Sequence, residues 1–257
     1  MPELFQKLRL FKLTRNRSKF SNNATGWNFN SAMGLDFDVT PDACGQVAVG
    51  AFGSFGSTAT SFNSGSSETD SKGFGTYARF APGNGLYATT LVAANWGDTD
   101  MTNNVFGSTA SQNSVGLMVN GSVGYATALG DGASFDIHAF ASRAWIDGDG
   151  FTDSAGIVVD GSEADITAIG VVATLSYDIS EATSTFLSGG VRHVTMEQSM
   201  TAFGIEVSGK AKADYASVEA GLRYKLTDNA ALSFSGTGDF SKDSESWGGR
   251  LGLAIKF

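Results

Sequence analysis

The sequence predicts an all-β chain: a single antiparallel up-and-down barrel that crosses a membrane, with 12 strands the simplest count. Three observations predict it. Segments of 9–13 residues alternate apolar with small or polar side chains at a period of two. Short turns rich in Pro, Gly, Asp and Asn alternate with long polar stretches, as in a meander whose turns are short at one end. Composition is the third: 33 glycines and 3 prolines in 257 residues, 17% charged and 42% hydrophobic, disfavour bundles, coiled coils and disorder.

Taken in order, the first clear segment alternates Trp27, Phe29, Met33, Leu35, Phe37 and Val39 with Asn28, Asn30, Asp36 and Asp38. Val47, Val49, Ala51 and Phe55 then oppose Ala48, Gly50 and Ser54. Segments around 74–80 and 86–96 are less regular but read as strands. Val115, Leu117, Val119, Val123 and Tyr125 alternate with Gly116, Asn120, Ser122 and Gly124, and strands follow around 135–145, 166–179 and 185–195. Val218, Ala220, Leu222, Tyr224 and Leu226 face away from Ser217, Glu219, Arg223 and Lys225. Ala230, Leu232, Phe234, Gly236, Gly238 and Phe240 form the next apolar stripe. In the last segment Trp247, Gly249, Leu251, Leu253, Ile255 and Phe257 oppose Gly248, Arg250, Gly252, Ala254 and Lys256. These make eleven strands.

Short turns are expected at 40–45, 81–85, 130–133, 180–183 and 227–230, and long polar loops at 57–72, 97–113, 147–164 and 196–213, with a shorter one at 241–246. A soluble antiparallel sandwich would use strands of ~5–6 residues. A strand of ~9–11 residues tilted by about 45° crosses a bilayer, and small or polar residues on the second face suit a hydrated lumen. Bacterial single-chain barrels have even strand numbers, so a twelfth strand is expected from residues 4–20. That stretch alternates poorly, and Leu4, Leu8 and Phe11 sit at helical spacing. Residues 1–22 are therefore read as a basic amphipathic segment: the first strand, a short helix in the pore or on an anionic membrane surface, or a linker remnant. Residues 23–257 are read as the barrel.

The formal charge of −9 is unevenly spread: residues 1–20 hold six basic groups against Glu3, and the remainder is strongly acidic. An acidic body disfavours nucleic acid, whose phosphates need a basic surface. Cys44 alone excludes a disulfide scaffold, and two histidines leave little for a metal centre, so no cofactor is expected. No apolar run approaches the ~18–20 residues of a membrane helix. The first twenty residues lack the apolar core of a secretory signal.

The stretch GYATALGDGASFDIHAFASRAWIDGDGFTDSAG (124–156) and the terminal Phe257, preceded by alternating apolar residues, carry a resemblance. Over residues 27–257 the chain resembles the translocator β-domain of autotransporters of Gram-negative bacteria. The resemblance implies an outer-membrane barrel of twelve strands that anchors an N-terminal passenger and assists its export. It also implies partners: the lipid bilayer, periplasmic chaperones, the barrel-assembly machinery and the passenger itself, with the barrel acting as a monomer and no chemistry on a small substrate. The alternative is a stand-alone outer-membrane channel, or an adhesin whose loops bind ligand.

Two groups of residues are singled out. Trp247, Leu251, Leu253, Ile255 and Phe257 are the expected barrel-assembly signal, read through strand addition to a sheet edge; alternatively they only face lipid and close the barrel. By alternation Asp36, Asp38, Arg79, Asp136, Arg192, Glu219, Arg223, Asp239, Arg250 and Lys256 point into the lumen, five acids and five bases, there to line a threaded chain or simply to pair with one another. Catalytic patterns are poor. His138 shares a face with Asp136 but no serine follows it two residues on, as the outer-membrane phospholipase pattern requires. His193 shows no carboxylate partner in sequence, although Asp147, Asp149 and Asp153 with His193 could mimic a rim protease. The run DGDGFTD lacks the later ligands of a calcium loop, and Asn22–Asn23 reads as a turn pair.

Overall fold

A computed structural model describes residues 5–20, 24–39 and 45–256. Its twelve strands run in order β1 (Phe5–Phe20), β2 (Thr25–Asp38), β3 (Gln46–Phe62), β4 (Gly65–Ala81), β5 (Leu86–Asn103), β6 (Ser108–Gly130), β7 (Ala133–Thr152), β8 (Val158–Asp178), β9 (Thr183–Ala202), β10 (Ile205–Thr227), β11 (Ala230–Phe240) and β12 (Ser244–Lys256). Each pairs antiparallel with its sequence neighbours, and β1 pairs with β12 to close the barrel. Closure leaves no open edge at bilayer depth, the condition for β-structure in hydrocarbon. Among the described residues no helix is long and apolar enough to cross a membrane; the strands do the crossing.

Residues 5–20 form a strand and not a helix, and the pairing explains why their sequence hides it. The registers of β1 against both β2 and β12 shift between Leu8–Arg9 and Lys12. A bulge there adds a residue to one strand, so the alternation changes phase midway. Lys7 stands opposite Asp36 and Lys256, whereas Asn16 stands opposite Asn28 and Gly248. Two runs of opposite phase average to no period.

The expected long loops are a second correction. The strands lengthen to 23 residues in β6 and β10, and the connections at that end shrink to tight turns such as 63–64 and 203–204. Stretches such as Ser66–Asp70, Asp98–Thr102 and Ser162–Asp165 continue the hydrogen-bonded ladder. They stand beyond the apolar band, wet on both faces, so nothing selects for hydrophobic alternation although the backbone pairing persists.

The barrel has no apolar core: Val159 is the only buried hydrophobic residue among those described. Apolar side chains lie outside, with Val191, Val123 and Phe234 63%, 63% and 61% exposed, a continuous apolar surface of the kind that marks a membrane contact. Lipid is the solvent that suits them. Inside, glycines receive aromatic rings from the next strand. A Cβ on Gly50 would come within 2.4 Å of the Tyr77 ring, and one on Gly124 within 2.4 Å of the Tyr87 ring. Phe52 covers Gly75 and Phe186 covers Gly221 in the same way. These glycines let rings lie flat on the lumen wall, which keeps the pore lining thin.

Candidate functional site

Side chains on the concave face of a barrel converge, so a strand there can touch its neighbour but one across ~9–10 Å, which the diverging convex face does not allow. Such contacts recur among the described residues. Arg192 on β9 donates from Nη1 to Asp239 Oδ1 on β11 at 2.9 Å, and its guanidinium lies 4.8 Å from the Tyr215 ring centre. Arg250 on β12 donates to Glu219 Oε2 on β10 at 2.8 Å, while Ser235 donates to Glu219 Oε1 at 2.7 Å. Tyr87 on β5 donates to Asp136 on β7 at 2.9 Å, and His138 Nδ1 is 3.1 Å from the same oxygen. Arg79 sits 4.6 Å over the Tyr87 ring.

Of the ten charges expected inside, Asp136, Arg192, Glu219, Asp239 and Arg250 meet in these networks and Arg79 joins one through an aromatic ring. Asp36 is only 7% exposed and lies in register with Gly50. Lys256 stands opposite Lys7 on β1. Asp38 and Arg223 are exposed near the short-turn end. Sequence reading missed the neutral partners Tyr87, Tyr215 and Ser235, and the amide of Asn16. The Oδ1 atoms of Asn16 and Asn28 and Nε of Arg250 are buried without a protein hydrogen bond. Asn28 was visible as a polar alternate; Asn16 was concealed by the bulge.

The terminal strand is hydrogen-bonded on both sides, to β11 from Ala230–Ile255 to Phe240–Glu245 and to β1 from Lys7–Lys256 to Phe20–Ser244. Trp247 and Leu251 are exposed on the outer face, and Trp247 packs edge-on against Phe240 at 4.9 Å. Leu253 and Ile255 are half-buried; Phe257 lies outside the described residues, as do Cys44 and the Asn22–Asn23 pair.

At the long-strand rim, the DGDGFTD run ends in a capped turn. Asp153 Oδ1 accepts from the amides of Ile157 at 2.8 Å and Ala155 at 2.9 Å. Its carboxyl is held below the usual range, chiefly by the Ile157 amide. Among the described residues no three His, Cys, Asp or Glu gather to hold a metal ion, and the rim-protease set does not assemble: Asp147 pairs in register with Val115 and Glu163, away from His193. His193 does have a carboxylate partner, Asp214, across the β9–β10 pair at 2.7 Å.

A carboxyl with a depressed folded value stabilises above its unfolded value and loses that contribution as pH falls through the folded one. The 153–157 turn therefore opens in acid. Amide exchange at Ile157 and Ala155, compared at equal intrinsic rate, should show protection at pH 7 that is lost well below pH 4, the ordinary carboxylate range. Asp153→Ala should lack it at both.

A closed twelve-strand barrel with a charged, internally paired lumen is the architecture against which comparisons take on meaning. The model of the family described as "Autotransporter beta-domain" matches residues 11–237. The chain belongs to the autotransporter β-domain family. It is an outer-membrane translocator barrel. Among solved structures it is similar to the translocator domain of NalP from Neisseria meningitidis, with a TM-score of 0.80 at 13% identity over 100% of this chain and 90% of that one. The β-domain of the Bordetella autotransporter BrkA gives 0.74 at 15% identity, covering 99% of each. The transport unit of AIDA-I from Escherichia coli gives 0.68 at 15% identity over 100% and 91%. No curated protein matches the sequence.

Proposed function

We propose that a passenger joined upstream of β1 reaches the cell surface through this lumen, and that the barrel then remains as its anchor. The observation that carries the reading is the position of the termini. Lys7 pairs with Lys256, so the chain enters β1 and leaves β12 at the same, short-turn end. Short turns of such barrels face the periplasm. Anything upstream of Phe5 therefore starts on the periplasmic side and has to cross to be displayed. The lumen wall supports this: Arg192–Asp239 and Arg250–Glu219 are ion pairs and the ten charges expected inside balance five to five, so a chain of either sign meets no strong field, and the glycines and flat rings leave room.

Assembly is read from the same geometry. β12 has no free edge once β1 has closed on it, so strand-addition recognition of Trp247, Leu251, Leu253, Ile255 and Phe257 by a barrel-assembly machine acts before closure. Before insertion the outer apolar stripe is exposed to water, which calls for holding chaperones in the periplasm. One chain completes the ring, so the barrel acts as a monomer. The test is a reporter placed behind a secretion signal and upstream of residue 1. External protease should reach the reporter in intact cells; a reporter that stays periplasmic beside a fully assembled barrel would overturn the reading.

A further inference from the structure

His193 and Thr195 are two residues apart on β9, with Asp214 opposite His193 on β10. Asp214 Oδ1 lies 2.7 Å from His193 Nδ1, and Thr195 Oγ1 lies 3.3 Å from His193 Nε2. A carboxylate on Nδ1 fixes the ring proton there and leaves the Nε2 lone pair facing the threonine hydroxyl. Carboxylate, imidazole and hydroxyl in that order are the acid–base relay of acyl-transfer hydrolases. The other histidine lacks this arrangement: His138 shares the Asp136 oxygen with Tyr87 and lies on the concave face.

The relay faces outward, on the row that continues Leu187 and Val191, and it sits at the upper limit of the apolar band. Below it are the exposed Val191 and Val218, and the exposed Ile169 is in register with His193 on β8. Further toward the long-strand rim are Asp165 and the Glu197–Lys210 ion pair; Arg143, level with Thr195, pairs with Asp165 and lies 4.9 Å from the Trp145 ring centre. In a bilayer this is the depth at which acyl chains join their head groups, where an aromatic residue with one wet side belongs. Lys212 stands directly across from Thr195 in register, and Thr167 and Arg143 continue the same row. A cross-strand pair has its Cβ atoms ~4.5–5.5 Å apart, so the Lys212 ammonium reaches a carbonyl oxygen held at Thr195. β11 ends at Phe240, opposite Ala216, so it does not cover the stretch of β10 bearing Asp214 and Lys212.

We propose that the outer face of β9–β10 is an esterase site for the carboxylic ester of a membrane-embedded acyl lipid. Thr195 Oγ attacks the ester carbonyl while its proton passes to His193 Nε2. The tetrahedral oxyanion is held by Lys212. The acyl–oxygen bond breaks, and the leaving alcohol takes the proton from His193, leaving an acyl-threonine. Water then adds, giving a proton to His193, and collapse returns that proton to Thr195 and releases a fatty acid. Ester and water become acid and alcohol, with no other reactant. His193 and Thr195 are the catalytic residues, and Asp214 is a positioning residue that sets the tautomer.

The test uses the full chain refolded in mixed micelles, its folding confirmed by heat-dependent electrophoretic mobility, with released fatty acid read by mass spectrometry. One arm supplies a diacyl phosphatidylethanolamine and the other lipopolysaccharide; release in one arm identifies the ester source. Wild-type protein should release fatty acid above the protein-free blank. Thr195→Ala should fall to the blank and His193→Ala by about 10²–10⁴-fold, whereas Thr195→Ser should retain activity. Asp214→Asn should lower the rate and displace its pH profile, which a packing role would not do. No release in either arm from folded wild-type barrel, or equal release by folded Thr195→Ala, would overturn the assignment and leave the translocator role untouched.

Discussion

Leu253→Asp combined with removal of Phe257 is expected to abolish assembled barrel in the outer membrane while leaving synthesis unaffected. Leu253 pairs with Leu232 on β11 on the outward-facing row of the last strand. A carboxylate there puts a charge toward lipid and interrupts the apolar alternation Trp247, Leu251, Leu253, Ile255 that an assembly partner would read. The pairing of β12 with β1 joins the two ends of the chain and closes the ring. Losing it exposes two strand edges and leaves the chain to aggregation and periplasmic proteolysis. The measurement is the amount of heat-modifiable protein in outer-membrane fractions. A separate result isolates recognition from packing: the same variant refolded in detergent should still form some barrel, because no machine is needed there.

Leu222→Arg should be the most damaging single substitution on the lipid face, and Ser217→Arg, on the same strand, should be mild. Leu222 is 48% exposed, pairs with Phe234 and Thr185, and lies midway along the apolar run Val218–Leu226. Arginine at the midplane of such a barrel costs about 2–4 kcal/mol, a large part of the stability of most domains. Ser217 instead stands opposite Asp239 and Gly190 on the lumen face, where an added guanidinium stays in water. Denaturant titration of the two refolded variants checks this. A lipid-face penalty no larger than the lumen-face one would mean the two faces have been exchanged.

How much of this was legible in sequence depended on where each residue meets its solvent. Strands with lipid on one side and water on the other wrote a clear period, which is why Trp27–Val39, Val218–Leu226 and Trp247–Ile255 were readable as strands. Where both faces are wet, as in Ser66–Asp70 or Asp98–Thr102, the period disappears although the ladder runs on. β1 was obscured by its bulge. The networks were legible in charge but not in partner: nothing in the spacing of Arg192 and Asp239, or of Tyr87 and Asp136, says that they are neighbours but one around a ring. The His193–Asp214 pair was invisible for the same reason, since 21 residues separate them and only the β9–β10 register brings them together.

The barrel is a twelve-strand ring in which residues 5–20 are the first strand, paired with β12 on one side and β2 on the other. The most direct test compares the full chain with a version lacking residues 1–20, both refolded in detergent and run in SDS with and without boiling. The full chain should migrate faster unboiled, as a closed SDS-resistant barrel does, and the truncated one should show no such shift. A truncated chain that shifts as the full one does would contradict the account, because the ring would then close without β1.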